Sequence, residues 1–221
     1  MDQLQKTERT TLTRSPKRGS YDKASILEIL KEGLVCHISF TDNGQVYLLP
    51  NLYGVKNDKI YIHGSVGSFM LRSLKTEIDL CFSVTLIDGL VLARSAFHHS
   101  VNYRSVVVFG KATMVTDEEE RMEALQVLTE HIIPGRWKEV RLPNKSEMTK
   151  TMILSIPLEE ASAKIRSGGP NDEEEDYNFK TWAGVLPLKI EAGSPIPDER
   201  LLEGVKVPDY LNNYNRDNAV I

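Results

Sequence analysis

The sequence predicts a mainly β fold: an antiparallel sheet closed into a barrel, with a few peripheral α-helices. Three observations carry this. Short apolar runs recur along the chain and are joined by tight-turn signals, of which Asp42-Asn43-Gly44 is the strongest, because Asn-Gly readily supplies φ > 0. Helix-period patterns are confined to a few segments, and alternating βαβ units, the mark of a dinucleotide-binding α/β domain, are missing. The two longest runs of β character, Ile78–Leu86 and Arg104–Val115, lie in the middle of the chain.

Taken in order, residues 1–20 form a polar arm with Pro16 and Gly19, expected to be mobile or draped on a partner. A domain of residues 21–190 follows, and then a Pro-containing tail, 191–221. Within the domain, Ala24, Ile26, Leu27, Ile29 and Leu30 fit one face of a helix capped by Asp22 and ended by Gly33. Leu34–Phe40 and Val46–Val55 make a hairpin about Asn43-Gly44, and Asn57-Asp58 turns the chain into Lys59–His63. Val66–Lys75 reads as a helix burying Phe69, Met70, Leu71 and Leu74. Asp117–His131 reads as another, with Thr116 as N-cap and Glu119 three residues on. Met152–Pro157 and Ala161–Arg166 are strand-like, Gly168–Asp176 is a Gly/Pro/acidic loop, and Trp182–Ile190 is a last strand.

The 221 residues are 41% hydrophobic, enough for one domain with a core. The net charge of −4 and the lack of a Lys/Arg-dense block argue against nucleic acid. No apolar run approaches the ~20 residues of a membrane helix, and the first residues show no apolar signal region. Cys36 and Cys81 each lie in an apolar run and read as buried free thiols, so a soluble protein of the reducing cytoplasm is expected.

Chemistry is concentrated where strand-like runs end in Gly, Ser, His, Asn and Arg. His63-Gly64-Ser65-Val66-Gly67-Ser68 takes a strand end through a Gly/Ser loop into a helix. Its free N–H groups and hydroxyls suit a phosphate, but on spacing alone an ordinary turn with an N-cap serine is the favoured reading. In Leu48–Tyr53, Pro50 removes one ladder donor and marks an edge or bulge. His98-His99 invites a metal, yet neighbours on a strand face opposite ways and no Cys or acidic partner stands at ligand spacing, so no metal is expected. Either histidine is a candidate proton donor. Arg94, in an apolar run, calls for an ion-pair partner, and Arg104 reads equally as an ion-pair residue at an interface between subunits. The acidic runs Glu118–Glu120 and Asp172–Asp176 read as solvated surface.

Five blocks, Ile60–Ser65, Val84–Gly110, Glu130–Trp137, Ser162–Arg166 and Trp182–Val185, together make residues 14–190 similar to the flavin-nucleotide-binding branch of the pyridoxamine 5′-phosphate oxidase-like superfamily, related to the nitroimidazole-resistance proteins. The resemblance implies a split β-barrel, a homodimer and FMN in a groove between subunits. It implies that Pro50 and Asn51 run beside the flavin ring, and that His63, Gly64, Ser65 and Ser68 cradle the phosphate. It further implies that Asn102, Arg104 and Ser105 lie near the ring or phosphate chain, and that Trp182 packs against the flavin. One departure stands out: members commonly carry a basic residue directly after the serine, where this chain has Phe69 and Met70, so Arg72 or Lys75 must supply the charge. The activity implied is an FMN-dependent oxidoreductase that takes electrons from a donor such as NAD(P)H and passes them to a small acceptor, a nitroaromatic among the candidates. The alternatives are a non-catalytic flavin carrier or sensor, and a haem-binding split barrel with His63, His98 or His99 as axial ligand.

Overall fold

The structure, a computed structural model, describes residues 2–215. Its strands, all paired antiparallel, are β1 (Gly19–Ser20), β2 (Val35–Asp42), β3 (Gln45–Lys56), β4 (Lys59–Ser65), β5 (Asp79–Leu92), β6 (Ser100–Lys111), β7 (Thr113–Met114), β8 (Thr151–Pro157), β9 (Glu160–Arg166) and β10 (Gly184–Pro187). The helices are α1 (Lys23–Glu32), α2 (Phe69–Leu74), α3 (Glu118–Ile132), α4 (Lys145–Lys150) and α5 (Asp209–Asn212). The strand order is β1-β9-β6-β5-β2-β3-β4-β8-β7, with β10 added to β5. Only the buried Ala112 separates β6 from β7. One continuous chain run therefore pairs with β5 and β9 at its start and with β8 at its end, which closes the path into a barrel.

Local chemistry sets the turns. Asn43 (φ 48°) and Gly44 (φ 76°) form a two-residue loop between Asp42 and Gln45, and Asn57 (φ 50°) and Asp58 (φ 60°) do the same before Lys59. Both residues of each loop sit at positive φ, the geometry whose twist matches the strands it joins. Alternation then buries Cys36, Ile38 and Phe40 of β2, Leu80, Phe82 and Val84 of β5, and Val106 and Val108 of β6. Helix α1 plugs one end of the barrel with Ile26, Ile29 and Leu30. Its N-terminus is capped by Asp22, which accepts from Ser25 N at 2.9 Å. Helix α3 lies over β3 and β4, where Gly54 leaves room for it: a Cβ there would sit 3.1 Å from Leu128 N.

Several expectations are corrected. The residues Val66–Gly67 are a turn, so α2 begins only at Phe69, capped by Ser68, and Phe69 is 40% exposed rather than buried. The N-cap of α3 is Asp117, whose carboxylate accepts from Glu120 N at 2.8 Å, one residue later than Thr116. The last strand is Gly184–Pro187, and Trp182 lies outside it. The arm of residues 2–20 packs on the barrel: Gln3 bridges Asp22, Thr10 is buried, and Thr7 donates to Glu160. Cys36 is buried and Cys81 half-buried, both as free thiols, and burial pushes Cys36 up to about 12. Among the described residues, no helix is long and apolar enough to cross a membrane.

Candidate functional site

The site is a seam where two halves of the sheet part. Strand β3 belongs to both halves. Over Gln45–Leu52 it pairs with β2, and over Tyr53–Lys56 it pairs with β4. Strand β4 then continues through His63–Ser65 on β8 alone. Past Tyr53 and Ile62 the two strands diverge, which leaves one edge of β3 without a strand over Gln45–Leu52 among the described residues. Pro50 sits in that stretch, opposite His37, where its missing N–H costs the seam nothing.

The gap is a cleft of about 360 Å³ lined by Leu49, Pro50, Asn51, His63, Gly64, Ser65, Ser68, Phe69 and Met70. Six residues named from the sequence thus meet in one place: Pro50, Asn51, His63, Gly64, Ser65 and Ser68. Asn51 staples the seam, its Nδ2 donating to the His63 carbonyl at 3.4 Å while its Oδ1 accepts from Leu52 N at 2.9 Å. The Ser65 hydroxyl accepts from Gly67 N at 3.2 Å, and that of Ser68 from Leu71 N at 3.4 Å. Each keeps its O–H to donate to a ligand. The His63 Nδ1 is buried with no hydrogen-bond partner among the described residues, and burial lowers the ring's pKa, so the imidazole is neutral at pH 7. Leu49, Phe69 and Met70 complete the apolar wall, and Phe69 packs edge-on against Tyr47 at 4.9 Å. These three were missed as site residues, because only the parting of β3 and β4 brings them together.

Arg72 does not line the cleft; it is exposed in the last turn of α2. The remaining candidates lie elsewhere. Following the register from Pro50 through His37 and Ser83 to Val107, and then along β6 to Asn102, gives a path of roughly 30 Å from strand spacing and rise. Arg104 and Ser105 are neighbours on β6 and face opposite sides of the sheet. Arg104 points to the barrel end under α1. It is gripped by Glu32, with Nη2 at 2.7 Å from Oε1, and by Asp88, with Nε at 3.0 Å from Oδ2. A bulge in β5 between Ile87 and Gly89 aims Asp88 there. Glu32 first, then Asp88, hold Arg104 far into its charged form. These groups line a second cavity of about 640 Å³ together with Leu34, Leu86 and Leu188. Ser105 donates to the Lys164 carbonyl at 3.3 Å, and the buried Asn102 donates to the Gly168 carbonyl at 3.1 Å.

The loop after β9 is fastened to the β5–β6 connection. Arg94 finds its partner there: its Nη1 lies 2.9 Å from Asp172, whose side chain is buried, and its guanidinium stacks over Tyr177. His98 stands 3.5 Å from Glu173. The Nδ1 of His99 lies 2.9 Å from the Ser95 carbonyl. Trp182 folds back over Gly184 and stays 67% exposed. Among the described residues, no cluster of three or more His, Cys, Asp or Glu has metal-binding geometry.

This architecture is shared with known proteins. The chain is 34% identical to the flavocytochrome Anf3 from Azotobacter vinelandii, over 95% of this chain and 97% of that one, with a TM-score of 0.88. It is 31% identical to an FAD- and haem-binding protein from Mycobacterium smegmatis, over 89% and 96%, with a TM-score of 0.85. A candidate 5-nitroimidazole antibiotic resistance protein from Bacteroides thetaiotaomicron shares the fold, at 22% identity and a TM-score of 0.57 over 66% and 86% of the two chains. No curated protein sequence matches. The family model described as pyridoxamine 5′-phosphate oxidase covers residues 22–165, from the cap of α1 into β9, and so takes in β2 to β8 and the seam: the chain belongs to that family.

Proposed function

We propose that this chain is a flavin-binding redox protein whose cofactor ring lies along the seam. One observation carries the reading: the unpaired edge of β3 stands beside two free O–H donors and a neutral imidazole, in a cleft with apolar walls. A flavin ring offers a flat apolar face and an edge of alternating donors and acceptors, and such a cleft matches both. When bound, the flavin supplies the hydride or electron transfer. The chain's own part is to hold the ring by backbone groups of Leu49–Asn51, to keep water off one face with Phe69 and Met70, and to meet a phosphoryl oxygen with Ser65 and Ser68. Among the described residues no lysine or arginine lines the cleft, so a phosphate held there gains hydrogen bonds without an ion pair.

The superfamily resemblance favours FMN, whereas the relative from Mycobacterium smegmatis binds FAD; we favour FAD. The cleft of about 360 Å³ in a single chain is small for a dinucleotide. A second subunit completes it, and Val35, Leu48 and Leu52, exposed on the outer face of β2 and β3, suit such a homodimer. The activity proposed is an oxidoreductase fed by a nicotinamide donor and reducing a small acceptor. The untreated protein should be yellow, with flavin absorbance, and mass analysis of the released ligand decides between FMN and FAD. A colourless protein that fails to take up either flavin overturns the reading.

Haem beside the flavin is a second reading, favoured by one specific contact. A carbonyl only accepts, so the His99 Nδ1 facing Ser95 O carries the proton, which leaves the Nε2 lone pair free to bind iron. Among the described residues the His63 ring has no such orienting partner at Nδ1. His99→Ala should abolish a Soret band and leave flavin absorbance intact; a Soret band that survives excludes His99.

A further inference from the structure

The outer face of β9 and the arm beside it carry cations that no acid answers. Lys164 and Arg166 alternate to the same side of β9, and Arg166 is paired with Tyr103 of β6. Strand β1 lies on the other flank, with Gly19 opposite Lys164, so the preceding Pro16–Arg18 turn runs alongside Arg166. Arg14, Lys17 and Arg18 are exposed there. Among the described residues, none of Arg14, Lys17, Arg18, Lys164 and Arg166 has a carboxylate within 4.0 Å, although twelve ion pairs are formed elsewhere. Of the acids in the neighbouring loop, Asp172 is held by Arg94 and Glu173 stands 3.5 Å from the His98 ring, and none lies within 4.0 Å of these five side chains.

Arg166 is the centre of this face. Its guanidinium is half-buried and donates only to neutral oxygens: Asn102 Oδ1, the Gly168 carbonyl at 3.3 Å and the Gly169 carbonyl at 3.2 Å. Burial first, and then the charge of Arg18, push its pKa below the ordinary value. The register thus sets the Pro16–Arg18 turn alongside Arg166, whose guanidinium is half-buried and fixed by neutral oxygens. That arrangement costs free energy until an anion lies between the turn and Arg166. Gly168 and Gly169 leave open space on the loop beside Arg166, where a Cβ would meet nothing within 4 Å.

We propose that Arg18 and Arg166, with Lys17 and Lys164, bind the diphosphate group of an adenine dinucleotide on the outer face of β9, with the Tyr103 ring as a platform for the heterocycle. Two planar guanidiniums match the oxygens of a diphosphate, and lysines on the flanks add charge. Ser65 and Ser68 in the seam, across the sheet, meet the flavin's own phosphoryl group, so the diphosphate bound here is that of a separate nicotinamide donor. The donor assignment rests on the flavin reading above; the anion site itself does not.

The test is calorimetric titration of the protein as purified with ADP, and with adenosine as the probe lacking phosphate. ADP should bind saturably and at least about tenfold tighter than adenosine. Arg18→Gln, on an exposed turn where it makes no contact the fold needs, should weaken ADP about five- to tenfold and leave adenosine unchanged. Arg166→Gln should do more. Lys206→Gln, on the tail, serves as the charge control and should change nothing. Equal affinity for ADP and adenosine in the parent protein, an unaffected Arg18→Gln, or equal losses in Arg18→Gln and Lys206→Gln would each overturn the proposal. ADP should bind with flavin retained; displacement of bound flavin by ADP would overturn the donor assignment. Saturable ADP binding to a protein without flavin would sustain the anion site while the flavin reading falls.

Discussion

The seam and the Arg104 end are two polar regions of one barrel, and they are built on opposite terms. At the Arg104 end the cation is gripped by Glu32 and Asp88, and α1 covers the cluster. At the seam the backbone edge of β3 has no strand beside it, two O–H groups are free to donate, and the His63 Nδ1 is buried with no partner among the described residues. The first region has spent its hydrogen-bonding capacity on the fold. The second has kept it. Residue types alone do not show this, since an Arg flanked by Asn and Ser looks more like a cofactor site than Leu-Pro-Asn does. Satisfaction of polar groups separates them.

The largest effect should come from breaking the satisfied end. Arg104→Met leaves two carboxylates facing each other in a half-buried place. The charges are about a third exposed, so the cost is discounted from that of a fully buried pair to about 2 kcal/mol. Chemical denaturation should show that loss, and adding Glu32→Gln and Asp88→Asn should recover most of it. Bound flavin, where present, should be retained per folded molecule. Flavin loss at unchanged stability would reverse the comparison and place Arg104 in the site.

Next in size is the seam's own scaffold. Ser68→Ala removes the cap of α2, worth about 1 kcal/mol, together with one free donor in the cleft. Asp117→Ala removes the equivalent cap from α3, away from the cleft. Similar losses of stability are expected from the two, with ligand affinity falling only for Ser68→Ala. Equal affinities would remove Ser68 from the site.

A smaller effect is the pH response of His63. Its folded pKa lies below the ordinary 6.5 because burial disfavours the cation. Above pH 6.5 the ring is neutral in both folded and unfolded states and contributes nothing to pH dependence. As pH falls below 6.5 the unfolded chain takes up the proton first, so stability declines until the folded pKa is passed. His63→Gln should flatten that part of the stability curve on the acid side. If the variant keeps the same slope between pH 6.5 and 5, another group is responsible.

How much of this was legible in the sequence follows from the range of the forces involved. The turns at Asn43-Gly44 and Asn57-Asp58 and the Asp22 cap are local chemistry, and they stand where the residues place them. So do the strands that alternate. Helix α4 was missed although Asn144 and Glu147 form a capping box that three-residue spacing announces. The seam residues were named, but their convergence depends on β3 changing partner at Tyr53, a pairing no local pattern encodes. Asp88 was passed over because the strand-like run was read as ending at Leu86; in the structure β5 continues to Leu92 through a bulge. Asp172, the partner of Arg94, and Glu32, one of the two partners of Arg104, lie 78 and 72 residues away in sequence, beyond any spacing rule.

Trp182 should give the smallest effect on the fold, and it sharpens the comparison most. It opens the segment before β10, folds over Gly184 and remains 67% exposed, so it is neither core nor part of the satisfied end. Within one chain it belongs to the end of β5 near Leu92, to which Gly184 is paired, and not to the seam. If a second subunit completes the seam, an exposed indole of this kind is free to reach the partner's flavin. Trp182→Leu should then shift the melting temperature little, because an exposed side chain contributes within about 0.5 kcal/mol. Bound-flavin fluorescence should rise as the quenching indole is lost, and affinity should fall by about 0.5–1.5 kcal/mol, the scale of an aromatic contact beyond its area. Dissociation of the dimer before any change in fluorescence would make Trp182 an interface anchor. A drop in melting temperature with both signals unchanged would make it a strap for β10, and the seam would then be a site built from β3, β4 and α2 alone.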